Sequence, residues 1–268
     1  MSLDFKDIIY EKHHRVQGTA WITINRPQVM NAFTGVTLAE IRQAVEDANA
    51  DDTVGVLVIT GAGDKAFCAG GDVKWLQEVQ REGAASAAGG FDPHAGIEDC
   101  LKPVIARVNG YCIGGGNHMA YFADFTLACE EHAVFSQVGP RIGSPAAGYF
   151  VAYLTWVVGA KKAKEMWMLC RRYTAQQALE MGLVNVVVPP DKLDEEVDKW
   201  CRELLAKSPS CLKILKASFR SLYDPLRHQA SRNYVKEIAP DFFRSGEADE
   251  GKNAFLERRE PDFSRYPR

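Results

Sequence analysis

The chain has 268 residues, 46% of them apolar, and a formal net charge of −3; that is enough chain for one large domain with a sizeable core, and the charge balance argues against a nucleic-acid-binding surface. No apolar run reaches the roughly 18 residues that a membrane span needs, and the start M-S-L-D-F-K-D-I-I-Y lacks the basic and apolar regions of a secretion signal. The 7 cysteines are scattered, with no C-x-x-C pair, which fits reduced thiols in a cytoplasm and no metal site.

In chain order, T-A-W-I-T-I-N (19–25) is rich in β-forming residues and stops at Arg26-Pro27, which predicts a strand. Residues 37–49 carry Leu38, Ile41, Ala44, Val45 and Ala48 at helical spacing. V-G-V-L-V-I-T-G (54–61) is a continuous apolar run stopped by glycine, the pattern of a strand buried on both faces. The stretch 83–96 holds small residues without a period. It reads as a mobile loop, either a surface excursion or a lid whose Asp92 and His94 close over a ligand. Residues 104–108 and 125–128 are two further short strands; strands alternating with helices give an α/β domain with crossover connections. From about residue 147 the chain turns mostly helical, with apolar residues at helical spacing over 191–207, 208–223 and 225–243.

Two glycine clusters interrupt the apolar sequence. A-F-C-A-G-G-D-V-K (66–74) follows the strand at 54–61, and Y-C-I-G-G-G-N-H (111–118) follows the strand at 104–108. At a strand-to-helix junction the first helical amides lack partners and carry the positive end of the helix dipole. Glycine lets another molecule approach that backbone closely. Two such donors aimed at one point form an oxyanion hole. Taken singly, either cluster need only permit close helix–strand packing. Neither contains G-x-G-x-x-G or a P-loop, so a phosphate-binding reading is weaker.

The motifs A-F-C-A-G-G-D (66–72), P-V-I-A-R-V-N-G-Y-C-I-G-G-G (103–116), A-D-F-T-L-A (123–128) and N-R-P-Q-V-M-N-A-F (25–33) resemble those of the crotonase (enoyl-CoA hydratase/isomerase) superfamily. The similarity spans essentially the whole chain. F-S-Q-V-G-P-R-I-G-S (135–144), K-K-A-K-E-M-W-M-L-C-R-R-Y (161–173), A-L-E-M-G-L-V-N-V-V-V-P (178–189) and E-G-K-N-A-F-L-E-R-R-E-P-D-F (250–263) look like the branch that holds 1,4-dihydroxy-2-naphthoyl-CoA synthase and 2-ketocyclohexanecarboxyl-CoA hydrolase. The resemblance implies a spiral of ββα units over 1–205, a helical trimerisation region over 206–268, and a homotrimer or dimer of trimers. It implies an acyl-CoA substrate and no cofactor beyond the coenzyme A moiety. The oxyanion donors would be the amides of Gly71 and Gly115. Residues 26–32, including Arg26, Val29 and Ala32, would line the coenzyme A site with Ala69 and Gly70. Arg258 would reach the CoA phosphates of a neighbouring subunit.

The chain departs from these relatives at the acid–base positions. Family hydratases carry two glutamates, and the matching residues here are His118 and Gly139. The naphthoyl-CoA synthase branch instead uses an aspartate and a tyrosine; the matching residues here are Ala146 and Phe243, while the matched Ser144 is kept. His118 is therefore the expected general acid or base, with a pKa near neutrality; the bland alternative is a core histidine bonded to a backbone carbonyl. Asp72 and Asp124 read as structural, Tyr111 and Tyr149 as core or pocket wall, and Trp75 as a pocket or core aromatic. His13, His14, His132 and His228 read as surface residues. The expected activity is a lyase or hydratase acting on a bulky, alicyclic or aromatic-derived, unsaturated CoA thioester. The alternatives are ring opening of a cyclic β-keto acyl-CoA, ring closure as in naphthoate synthesis, or acyl-CoA binding without catalysis.

Overall fold

A computed structural model describes residues 4–81, 94, 96–146, 148–224, 238–264 and 266. Strand β1 (Ile8–Lys12) pairs antiparallel with β2 (Thr19–Ile24), placing Ile8 opposite Ile24. Thr34 then caps helix α1 (Gly35–Ala50), whose buried face is Leu38, Ile41, Ala44, Val45 and Ala48, the stripe that the spacing predicts. Strand β3 (Val56–Gly61) is buried at every position and runs parallel to β2.

The chain next repeats one pattern. β3 is followed by a three-residue strand, β4 (Ala66–Cys68), and by helix α2 (Val73–Arg81). Strand β5 (Val104–Val108) is followed by β6 (Tyr111–Ile113) and helix α3 (Gly115–Phe122). Strand β7 (Phe125–Cys129) is followed by β8 (Val134–Ser136), a 3-10 turn (Gly139–Ile142) and helix α4 (Tyr149–Val158). The long strands enter one sheet and the short ones a second, so each repeat is a ββα unit of a crotonase-type α/β spiral. The first sheet has the order β1-β2-β3-β5-β7-β10 and the second β4-β6-β8-β9. Helix α5 (Ala160–Leu169), β9 (Tyr173–Thr174), helix α6 (Ala175–Glu180) and β10 (Val186–Val188) complete both sheets. Helices α7 (Leu193–Leu205), α8 (Pro209–Ser221) and α9 (Glu247–Leu256) follow. Alternate residues of β3 serve two cores: Leu57 and Ile59 face the layer of α1, α3 and α4, while Val56 and Val58 meet Leu193, Val197 and Cys201 of α7.

The glycine clusters sit at strand-to-helix junctions as expected, and each opens with a short strand, β4 or β6, that the sequence pattern did not show. Three-residue strands such as A-F-C and Y-C-I are too short to show a period of two. Most of the stretch 83–96, including Asp92, and most of the predicted helix 225–243, with His228, lie outside the described residues. Among the described residues no helix is long and apolar enough to cross a membrane.

The loop between β2 and α1 is fixed by Asn31, which is fully buried and left-handed at φ 55°. Its Nδ2 donates to the carbonyls of Ala62 at 3.0 Å and Ala66 at 2.7 Å, and its Oδ1 accepts from the Arg26 amide at 3.0 Å. Asn31→Ala leaves those buried groups unsatisfied and keeps a strained φ. The expected loss is about 3 kcal/mol of unfolding free energy, measured by urea denaturation.

Candidate functional site

The two glycine turns touch. A Cβ on Gly70 would lie 3.0 Å from the Ile113 carbonyl oxygen and 3.4 Å from the Gly115 nitrogen. A Cβ on Gly116 would fall onto the Cys68 carbonyl, so only glycine lets α3 pack against β4. The residues on either side of Gly71 are tied to Phe33: the Phe33 amide donates to the Gly70 carbonyl at 2.8 Å, and the Asp72 amide donates to the Phe33 carbonyl at 2.8 Å. In extended backbone this alternation turns the Gly71 N–H to the opposite side, away from Phe33. The Gly114 amide is used by the Ser136 carbonyl at 2.9 Å, and Gly115 is the first residue of α3. Neither the Gly71 nor the Gly115 amide has a hydrogen-bond partner among the described residues.

Both glycines line a cavity of about 1190 Å³. Val29, Ala32, Ala69, Gly70, Asp72, Ser144, Ala146 and Arg258 line it too. Phe243 also stands in its wall, and Ala147 lies outside the described residues. Asp72 is anchored as well: its carboxylate caps α2 by accepting from the Lys74 amide at 3.0 Å. Asp124 is structural, accepting from the Val104 amide at 2.7 Å and pairing with Lys216 at 2.6 Å. Trp75 packs edge-on against Phe33, outside the cavity.

Two expectations change, those for Arg26 and His94. Arg26 does not line the cavity; it is paired with Asp7 and Asp72 and donates to the Ala32 carbonyl, so its role is to hold the loop. Arg258 lines the cavity of its own chain, carried there by the turn after α9. His94 is buried, its ring 4.3 Å from Phe122 and its Nδ1 4.0 Å from Glu98, and it does not line the cavity. Glu98 in turn accepts from the Tyr149 hydroxyl, which makes Tyr149 a core residue.

His118 reaches the cavity from the first turn of α3, yet it is only 6% exposed. The rings of Tyr121, Phe150 and Trp167 lie 5.4–5.5 Å from its own. Burial among them, reinforced by His94, pushes its pKa down to about 3, against an opposing pull from Gln137 beside it. The near-neutral pKa expected from sequence is thus corrected. The ring is neutral at physiological pH, and neither of its nitrogens completes a hydrogen bond among the described residues. The bland alternative, a ring bonded to a backbone carbonyl, is not what the geometry shows.

Sequence reasoning missed Gln137 and Trp167, which stand beside His118 in the cavity wall. It also missed the cations Lys74, Arg172 and Lys252 at the same cavity. The signal for Gln137 lay in F-S-Q-V-G-P and for Trp167 in E-M-W-M-L, where an indole sits among otherwise interchangeable apolar residues.

The family model for enoyl-CoA hydratase/isomerase matches residues 14–266. Three solved structures are similar over nearly the full length of both chains. An enoyl-CoA hydratase/isomerase from Xanthobacter autotrophicus Py2 is 31% identical, with 99% of this chain and 100% of that one covered and a TM-score of 0.78. An enoyl-CoA hydratase from Mycobacterium avium subsp. paratuberculosis K-10 is 30% identical, with 97% and 99% covered and a TM-score of 0.78. A carnitinyl-CoA hydratase from Mycobacterium avium is 31% identical, with 96% and 98% covered and a TM-score of 0.78.

The depressed His118 pKa has a stability signature. The unfolded ring binds a proton at pH values where the folded ring does not, so stability falls as pH drops from 6.5 toward about 3. The slope from this group approaches about 1.4 kcal/mol per pH unit. Histidine NMR signals followed by pH should show one ring still neutral at pH 5, and His118→Asn should remove that signal and flatten the acid limb of the stability curve.

Proposed function

The chain belongs to the enoyl-CoA hydratase/isomerase family, and from that premise we propose that it is a coenzyme A thioester lyase that adds water to an unsaturated acyl group through an enolate. The observation that carries this reading is the pair of unpartnered amides, Gly71 and Gly115, on two touching glycine turns. A thioester oxygen between them accepts two N–H bonds. As water attacks the β-carbon, charge collects on that oxygen, where both donors and the positive end of the α3 dipole stabilise it. The enolate then takes a proton at the α-carbon, which completes the addition without redox change, so no cofactor beyond coenzyme A enters.

His118 is the group placed to manage the proton. With a pKa near 3 it is a weak base. Its part is to bond the water or acyl group as a neutral ring and relay a proton, not to store charge. Lys74, Arg172 and Arg258, which have no ion-pair partner among the described residues, suit the phosphates of the carrier. Small Ala146 beside the rings of Phe150, Trp167 and Phe243 suits a bulky alicyclic or aromatic-derived acyl group. Ser144 in the same wall favours a second reading, in which water opens a cyclic β-keto acyl-CoA or the reverse reaction closes a ring, as in the naphthoyl-CoA synthase and ketocyclohexanecarboxyl-CoA hydrolase branch.

We assign residues 1–205 to the spiral core and 206–268 to a helical region that assembles a homotrimer or a dimer of trimers. Its support is the apolar surface of α8, where Ile214 and Phe219 are 65% and 66% exposed. The seven cysteines, all free, suit a reducing cytoplasm. Neither nucleic acid nor membrane enters this reading.

The test uses Gly115→Pro. Proline is tolerated at the first position of a helix, and its ring carbon replaces the N–H in question and stands where the thioester oxygen would be held. With a panel of cyclic and linear enoyl- and ketoacyl-CoA esters, wild type should convert at least one. In the variant kcat for that ester should fall about 10²–10³-fold or more. Product structures by NMR separate hydration from ring opening. Tight binding of every ester without turnover would mean a non-catalytic binder, and unchanged kcat in the variant would remove the oxyanion role.

A further inference from the structure

Water addition by the route above takes a proton from water in one step and delivers one to the α-carbon in the next, so a group in the cavity must hold that proton in between. His118, a weak base, does not store it. Gln137 and Ser144 in the same cavity wall are not bases, and Gly139 and Ala146 carry no titratable group. The carboxylates of the wall are committed: Asp72 to the Lys74 amide and to Arg26, and Glu260 to Arg141 at 2.6 Å. Lys252 of α9 lines the same cavity and is only 3% exposed.

Two contacts fix where its amine stands. A Cβ on Gly251 would fall onto Ile142 and the Gly143 nitrogen, so α9 lies backbone to backbone on the turn at 139–144. Lys252 Nζ donates to the Ala248 carbonyl at 2.8 Å, and a Cβ on Gly143 would stand 2.8 Å from that same oxygen. The amine is thereby held against the turn that leads into Ser144 and Ala146, the wall given above to the acyl group. A charged ammonium is expensive in such a place. Burial holds the Lys252 amine below the ordinary lysine range, with Asp249 on the same helix pulling the other way. Elsewhere on α9, Glu250 accepts from Arg259 at 2.7 and 3.1 Å; on the facing turn, Arg141 is taken by Glu260; and α2 meets α9 through the uncharged pair Gln77–Asn253 at 2.9 Å. The exposed Lys74, Arg172 and Arg258 suit the carrier's phosphates, so the buried amine is not needed as a permanent cation.

We propose that Lys252 is a catalytic base of this site: its uncharged Nζ takes a proton from the attacking water as the new C–O bond forms at the β-carbon, and the ammonium so made returns a proton to the α-carbon of the enolate. The electrons of the double bond move onto the thioester oxygen and then into the new C–H bond. The amine ends uncharged, and nothing is oxidised or reduced. This rests on the water-adding acyl-CoA reading above and completes it: the glycine amides hold the oxyanion, His118 bonds the water or acyl group, and Lys252 stores the proton. The role needs a lysine, because a guanidinium keeps its charge at any working pH and cannot accept a proton.

The test uses Lys252→Met, close in shape and uncharged, and Lys252→Arg, which keeps a cation, each checked for folding by circular dichroism. With an ester that the wild type turns over, both variants should lose about 10²–10³-fold in kcat with KM little changed. The amine acts only when uncharged, so wild-type kcat should fall toward acid in a limb that Lys252→Met lacks. Full activity of Lys252→Met would overturn the proposal. Recovery in Lys252→Arg would overturn it too, marking a cation for the carrier's phosphates. A second measurement needs no ester. With lysine labelled at 13Cε, NMR signals from the two buried amines, Lys102 and Lys252, should titrate below the other lysines, and Lys252→Met should remove one of them. Absence of any such signal would overturn the proposal whether or not the variants fold. Turnover that survives both substitutions would remove this proposal alone, whereas a wild type that turns over no ester would overturn the acyl-CoA reading together with it.

Discussion

The whole site depends on how closely α3 lies against β4. The Cβ of any residue at 116 would fall onto the Cys68 carbonyl, and a Cβ at 70 would crowd the backbone at 113–115. Backbone therefore meets backbone there, with no side chain between. That contact sets the distance between two amides on different ββα units, and it does so through peptide geometry, which is far stiffer than any rotamer. The amides at Gly71 and Gly115 stay unsatisfied because neighbouring groups are already committed, to Phe33 on one side and to Ser136 on the other. Pre-organisation of this kind costs nothing further when charge develops on a bound oxygen.

Around that fixed pair the cavity divides by polarity. Lys74, Arg172 and Arg258 bring positive charge, and Phe150, Trp167 and Phe243 bring rings. His118 belongs to the second group by surroundings and to neither by chemistry. A histidine in water would ionise near neutrality; this one is held neutral by the aromatic packing that also fixes its orientation. The same packing that makes the ring a poor base makes it a well-placed hydrogen-bonding group.

Much of this was legible in the residues. The run at 54–61 announced a strand buried on both faces, and β3 serves two cores. The stripe of α1 and the glycine clusters were equally plain, and Gly71 and Gly115, which the resemblance to crotonases singled out, line one cavity. What stayed hidden was of two kinds. Three-residue strands carry no periodicity, so β4 and β6 went unseen. Environment is the other kind: nothing in G-G-G-N-H says that the histidine will be walled by Tyr121, Phe150 and Trp167, two of which arrive from helices more than thirty residues later. The role of Arg26 was hidden for the same reason, since Asp7 and Asp72 reach it from opposite directions in the chain.

The Asn31 anchor also separates what is fixed from what is free in the wall. Residues 30 and 31 are consecutive left-handed positions, and the Asn31 side chain ties them to β4. The 3-10 turn just before them, Pro27–Val29, has no buried residue. Gln28 and Val29 can thus be exchanged for other side chains without moving the peptide groups that Asn31 holds. The scaffold is modular at this point: the wall can vary at two replaceable positions, while the peptide groups behind it keep their shape.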